Sequence, residues 1–366
     1  MEQENRIKIP KVSYVFFGIT LLAIITYIIA IVNTPFADFF NRHISSVFRG
    51  ILATLTNILP LSLAELLIIS SPVILFFIIR IALKKYGKSW RDVGIFCIIV
   101  LSIITMLLST FIFVFGIGYY TSGLDVKLEL DKKEVSTKDL SQTADWLIEE
   151  LNASVDTVNF QEKGPSINPH TIRETNNILL SSYDSMSDKY DFLPKLTSYV
   201  KPVILSKPMT YTHISGVYTH FTGEANVNTN GPDYSIPYTI AHELAHQRGI
   251  AREDEANFIA FLVCINSNDA YIQYCGYMNL CEYVLNALYT ADAKLYEETY
   301  VKLDKRVLYE MNATYDFYEK YQDNIVGEIS GAINDAYLQA NGTEGTKSYG
   351  LVVDLAVAYF HKEIEN

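Results

Sequence analysis

Three apolar stretches, residues 13–32, 61–83 and 93–119, constrain this chain more than any other feature. Each is long enough for a helix to cross a hydrocarbon core, which takes roughly 20 residues. The first follows Arg6, Lys8 and Lys11, as the apolar part of a signal peptide would. It exceeds the usual h-region of about 7–15 residues, so a retained anchor is expected. Residues 44–60 are only partly apolar and are interrupted by Arg49, which predicts a helix lying at the interface rather than a fourth span.

The short loops keep their cations on one side. Arg6, Lys8 and Lys11 precede the first stretch, and Arg80, Lys84, Lys85, Lys88 and Arg91 follow the second, whereas the loop between them has only Arg42 and Arg49. Positive-inside bias then predicts a cytoplasmic N-terminus and, after three crossings, an extracytoplasmic remainder. Tyr119 and Tyr120 suit an interfacial belt. Two parts follow, a membrane anchor over residues 1–120 and an extracytoplasmic domain over 121–366. The anchor holds 10 Lys and Arg against 5 Asp and Glu, which leaves 19 and 36 of the chain's totals of 29 and 41 for the rest. That acidic excess, without a basic stripe, excludes nucleic acid as the expected partner. The lipid bilayer is a partner by composition, and nothing in the sequence bears on oligomeric state. Glu65, near the outer end of the second stretch, reads either as part of an ion path or as a carboxylate reaching the interface. Cys275 and Cys281 lie outside, so a disulfide is permitted. On one continuous helix they would project from different faces.

The outer part reads as α+β, mostly helical with a small sheet. Helices are predicted around 140–151 and over 170–193, the latter opened by Asn168-Pro169. Residues 199–205, 211–215 and 217–228 look extended, and the turn-rich 228–233 closes them. From Pro237 onward the helical period continues nearly to the end. There is no internal repeat and no low-complexity tract.

Residues 242–246 read His-Glu-Leu-Ala-His. Positions four apart on a helix emerge within about 40° of one another, one turn apart, as a single metal ion requires. Glu243 is offset by about 100°, outside the ligand set yet close enough to take a proton from metal-activated water. Ser235 and Pro237 supply a helix start and Gly249 a stop. The bland alternative is two histidines with a carboxylate on an ordinary helix. Downstream, Glu253, Asp254 and Glu255 open a second apolar helix. A catalytic zinc takes three protein ligands and leaves one position open, and one of these carboxylates can be the third. Glu253 is favoured, because Asn257 shares its face and can support a ligating histidine, whereas Glu255 points about 200° away. Stabilisation of a helix N-terminus accounts for the others.

His242-Glu243-x-x-His246 followed by a glutamate-bearing helix resembles the gluzincin arrangement of the zincin metallopeptidases. The wider run of residues 222–228, 242–249 and 253–258 behind three spans is similar to a bacterial domain-of-unknown-function family, family 3810, classed as zincin-like. The resemblance implies a zincin-like catalytic fold and bound Zn²⁺. The chain departs from gluzincins in the short spacing between His246 and Glu253 and in having Asn257 where aspartate is usual. Arg252 stands where the metzincin pattern would need a ligand. By resemblance, residues 222–228 are expected to form the strand along which a peptide substrate lies, with Glu224 and Asn226 on its polar face; an ordinary half-buried strand is the alternative. His220, Tyr218 and Tyr349 are candidates for the group that holds the developing oxyanion, with Tyr349 expected as the catalytic partner of Glu243.

The expected function is zinc-dependent hydrolysis of a peptide or protein segment at the outer membrane face, with His242, His246 and Glu253 on the metal and Glu243 as general base. An alternative of another class is a zinc-binding membrane sensor or interaction protein with little or no hydrolysis. The intact Glu243 speaks against that, since a binding module has no use for a general base. A small transporter fits less well, because the spans lack the paired polarity of a transport path.

Overall fold

The computed structural model describes residues 7–365; Arg6, one of the cations used to orient the chain, lies outside them. Helix α1 (Lys11–Val32) is followed by α2 (Thr34–Phe40), α3 (Ser46–Thr56), α4 (Leu63–Ile81) and α5 (Trp90–Val114). Three helices, α1, α4 with its extension to Tyr86, and α5, are long and apolar enough to cross a membrane. Helices α1 and α5 pack side by side, whereas α4 is exposed along its apolar length. The third span ends earlier than the apolar run suggested. Glycines 116 and 118 break the helix into a tight 3₁₀ turn, Gly116–Tyr120, which is buried and faces the polar part of the protein.

After the short α6 (Leu124–Lys127), α7 (Thr137–Ser154) and α8 (Ile172–Lys189) each open with a capping box, Ser136 with Asp139 and Thr171 with Glu174. The cap of α8 is therefore Thr171, three residues after the expected Asn168, because its hydroxyl together with Glu174 three positions on satisfies two backbone donors at once. The extended region is shorter than its residues suggested. Strand β1 (Lys201–Pro202) gives way to α9 (Ser206–Thr210), and residues 211–215 form no strand, held instead as a loop by Asn228, which donates to Thr210 Oγ1 and to the Ile214 carbonyl. Strands β2 (Gly216–Thr219) and β3 (Glu224–Val227) complete a sheet in the order β1-β3-β2, parallel between β1 and β3 and antiparallel between β3 and β2.

The rest is helical: α10 (Ser235–Gln247), α11 (Glu253–Ile265), α12 (Ala270–Ala291), α13 (Ala293–Tyr300), α14 (Lys305–Glu319), α15 (Ile325–Ala340) and α16 (Val352–Glu365). Helices α7, α10, α11, α12 and α16 share one apolar core, and α10 lies across the sheet. Cys275 and Cys281 are both buried on the single helix α12 and both are free, so the permitted disulfide is absent.

Two expectations about the anchor change. Helix α3 does not simply lie at an interface: Arg49, 1% exposed, is buried against the helix that carries the histidines. Glu65 neither lines an ion path nor reaches water. It is buried in the first turn of α4 and accepts the backbone N–H groups of Ile204 and Leu205 at 2.9 and 2.7 Å, tying the second span to the sheet region.

Candidate metal centre

Helix α10 has no solvent face. Every residue from Ile236 to Gln247 is buried, so its polar side chains must find partners inside the protein. Gln247 does so by donating to the Gly223 carbonyl at 2.7 Å. The helix ends because Gly249 adopts φ +95°, a conformation that side chains disfavour. A Cβ on Gly249 would also lie 2.3 Å from Arg49 Nη2. Arg49 donates at 3.4 Å to the Arg248 carbonyl and Asn41 at 3.0 Å to that of Gly249, so two side chains of the anchor satisfy the carbonyls of the turn that ends α10.

The turn at Gly249 brings the start of α11 back over α10. Glu253 Oε2 lies 3.2 Å from His242 Nε2 and 3.3 Å from His246 Nε2. One ligand atom from each of the three lies within 4.8 Å of the others, the only such group among the described residues. The imidazole planes stand at 89° with ring centres 4.6 Å apart. His246 Nδ1 is 2.7 Å from the Ile250 carbonyl, which can only accept, so Nδ1 carries a proton and Nε2 is the nitrogen that faces Glu253, protonated in this pair and left with a free lone pair once that proton is lost. Asn257 lies beside His242, although no well-aligned bond reaches His242 Nδ1, which is buried without a partner. Asn257 also takes the Tyr238 hydroxyl on its own carbonyl at 2.7 Å.

The charges are strongly coupled. Burial alone would favour neutral groups throughout. Against burial, Glu253 lifts His246 to about 9, and the two imidazoles hold the Glu253 carboxyl far below its usual range. Burial and the neighbouring His246 push His242 down. Burial raises Glu243 to about 8, with the His246 charge opposing.

Glu243 is placed by the sheet. The backbone N–H of Tyr218 donates to its carboxylate, and its second oxygen, Oε2, is buried without a partner. A Cβ on Gly216 would stand 2.5 Å from Glu243 Oε1, so this carboxylate fits only because β2 carries a glycine there. Strand β2 is the sheet's edge beside the site. Strand β3, the expected substrate strand, is its interior strand and is buried throughout, because β1 and β2 occupy both its sides. Glu224 accordingly faces no substrate cleft: it pairs with Lys201 Nζ at 2.6 Å and accepts the N–H groups of Leu63 and Ala64 at the start of α4. Asn226 likewise spends its amide on the Val217 carbonyl within the sheet.

The other candidates separate. The Tyr349 hydroxyl, held by Asn334 Nδ2 at 3.4 Å, has its ionisation driven up by burial and then by the nearby Glu253 and Glu243 carboxylates, which places it at the site. His220 is parted from the centre by Phe115, whose ring centre is 6.5 Å from His220 and 5.8 Å from His246; burial lowers it to about 4. The Tyr218 hydroxyl is buried without a partner in the aromatic cluster with Phe115, so only the backbone of Tyr218 reaches Glu243. Glu255 turns away, accepting from the Leu124 N–H at 2.9 Å and from Arg252 at 3.0 Å. Arg252 also donates to the carbonyls of Tyr119 and Thr121. Three tyrosines that the sequence did not assign to the centre stand near Glu253: Tyr119, expected in the interfacial belt, Tyr283 and Tyr337, with Tyr119 and Tyr337 joined through their hydroxyls at 3.2 Å. Only their number in the chain hinted at this, since they come from four distant segments once Tyr349 is included.

Neither the curated proteins nor the solved structures yield a match to this chain. A family model described as a protein of unknown function, DUF3810, matches residues 40–357, which takes in two of the three apolar spans and every residue of the centre. The chain belongs to the DUF3810 family.

Proposed function

We propose that this protein is a membrane-anchored zinc-dependent hydrolase, a peptidase of zincin-like fold acting at the outer face of the membrane. The observation that carries the reading is the convergence of His242, His246 and Glu253, with the Glu243 carboxylate alongside. Two imidazole nitrogens and one carboxylate oxygen form the donor set of an open catalytic zinc site, and the tautomer of His246 is already fixed for it. When bound, zinc supplies a Lewis acid that brings the pKa of water toward neutrality and draws charge from a carbonyl oxygen.

The chain's own groups supply the rest. Glu243, whose free oxygen is buried without a partner, accepts the proton of the attacking water and returns it to the leaving amine. Tyr349 donates to the oxyanion as it develops, its hydroxyl kept protonated by burial and by two carboxylates. The free edge of β2 offers backbone groups to an extended substrate, in place of the interior β3. The end of β2 runs into His220, whose ring lies 5.0 Å from Phe111 at the end of the third span. A substrate paired with β2 therefore starts beside the membrane, which favours a membrane-tethered chain cut a few residues from its anchor. The cationic loops after the second span orient the N-terminus toward the cytoplasm and the centre outward.

The test is made on the full-length protein in detergent and in membranes. Elemental analysis should find about one zinc per chain, retained in Glu243→Gln and lost in Glu253→Gln. New protein N-termini present in wild-type membranes should be missing from Glu243→Gln membranes. Zinc retention with identical N-termini in both would leave a metal-binding protein without hydrolysis, the alternative reading.

A further inference from the structure

A second site lies at the C-terminal end of α10, where Arg248 and Ile250 line it, and does not depend on the metal reading. A cavity of ≈ 780 Å³ opens where α2 and α3 meet the turn before α6 and the loop after α8. Six cations line it: Arg42, Arg49, Lys127, Lys189, Arg248 and Lys362. Of its three carboxylates, Asp191 pairs with Arg42 at 2.9 Å, Asp38 is engaged by Ser122, and Glu129 is exposed.

The cations deepest in it are poorly compensated. Arg49 and Arg248 are each 1% exposed, and neither has a carboxylate within 4.0 Å among the described residues. Arg49 donates to Asn41 Oδ1 and the Val114 carbonyl, both at 2.8 Å, and Arg248 to the Leu196 carbonyl at 2.9 Å with its guanidinium over Tyr183. The Nε of each is buried with no partner among the described residues. Lys127 bonds only to the Thr121 hydroxyl at 3.0 Å and sits over the Phe192 ring. Uncompensated buried cations are costly, and two of them, with the half-buried Lys127 beside the same polar cavity, call for an anion. The cavity lies on α2 and α3, the helices that follow the first span: Phe39, Val47 and Phe48, next to its lining residues in the chain, are large apolar side chains left exposed. An anion that arrives there attached to apolar chains satisfies both features.

We propose that this cavity binds the phosphate of an anionic membrane phospholipid. The phosphate faces Arg49, Lys127 and Arg248, with Lys189 and Arg42 at the mouth, and the acyl chains pass down the exposed apolar side chains of α2 and α3. Because Arg49 and Asn41 also hold the carbonyls of the turn that ends α10, an occupied cavity steadies the helix that carries His242 and His246.

The full-length protein, stripped of lipid in a neutral detergent, is followed by thermal unfolding with added phosphatidylglycerol, with phosphatidylcholine of the same chains, or with inorganic phosphate. Phosphatidylglycerol at saturation should raise Tm by about 2–4 °C, with little effect from the other two. Lys127→Gln should weaken the half-saturating concentration at least several-fold. The exposed Lys189→Gln should weaken it too, which keeps the test open if the substitution at the half-buried Lys127 unfolds the protein. Zinc content should be unchanged in both variants, so loss of the lipid response is separable from loss of the metal. Equal shifts from both lipids, or an undiminished response in folded variants, would overturn the proposal. A full shift from inorganic phosphate alone would overturn the lipid assignment in favour of a soluble anion.

Discussion

Glu243 is held in place by a residue with no side chain. The motif around it was legible because spacing on a helix fixes geometry, so His242, Glu243 and His246 were bound to share one end of one element. Gly216 was not legible, since its contact with Glu243 joins two elements 27 positions apart in the chain. Gly216→Ala puts a methyl where the carboxylate stands, so Glu243 must swing while the three metal-facing atoms are untouched. Zinc should stay, and hydrolysis should fall on the order of 10²-fold or more, read as the same uncut N-termini that Glu243→Gln leaves. Buried acids outside the centre carry their own signature. Burial raises Glu282 to about 7 despite the Tyr234 hydroxyl 2.9 Å away. Its folded pKa lies above the unfolded one, so its contribution to stability is complete below about pH 4.5 and is lost as pH rises through about 7. Glu282→Gln stays neutral throughout. It should be more stable than wild type at pH 8 by on the order of 2 kcal/mol, allowing for partial exposure, and equal at pH 4, by thermal melts at both pH values.

At the scale of elements, the helices and the presence of a small sheet were readable, and the order of its strands was not. Helices α10 and α11 declare themselves through caps, a stop glycine and an apolar period, all local signals. The sheet is three short strands whose order depends on pairing across the chain, and alternation in residues 222–228 could not tell an edge strand from an interior one. The buried Lys201–Glu224 pair marks the difference. Glu224 serves two elements, neutralising β1's Lys201 and capping α4 through Leu63 and Ala64. Glu224→Gln leaves Lys201 as an unpaired cation, 5% exposed, and should destabilise by about 3–5 kcal/mol in thermal or denaturant unfolding. Adding Lys201→Met should restore part of that loss, since no charge is then stranded. Full recovery is not expected, because the start of α4 keeps only a neutral acceptor.

Across the whole molecule, the division at residue 120 that charge and hydropathy suggest does not describe how the protein holds together. Composition separates an apolar cationic part from an acidic one, but composition is blind to contacts between them. Those contacts concentrate on the centre. Arg49 and Asn41 close the end of α10, Phe115 packs on His246, the Tyr119 carbonyl takes Arg252 at the mouth of α11, and Glu65 secures the backbone after β1. Removing residues 1–120 would strip the carbonyls of the turn that ends α10 of two donors, expose the aromatic face against which His246 rests, and leave Lys201 without the Thr56 and Leu61 carbonyls. Each unmade bond to a buried group costs about 1–3 kcal/mol, and several together approach the whole stability of a domain of this size. A fragment of residues 121–366 should therefore be insoluble or melt well below the full-length protein in detergent, and should bind substoichiometric zinc. A fragment that folded cooperatively with the full-length protein's melting temperature and one zinc per chain would show that the anchor only tethers the centre and does not build it.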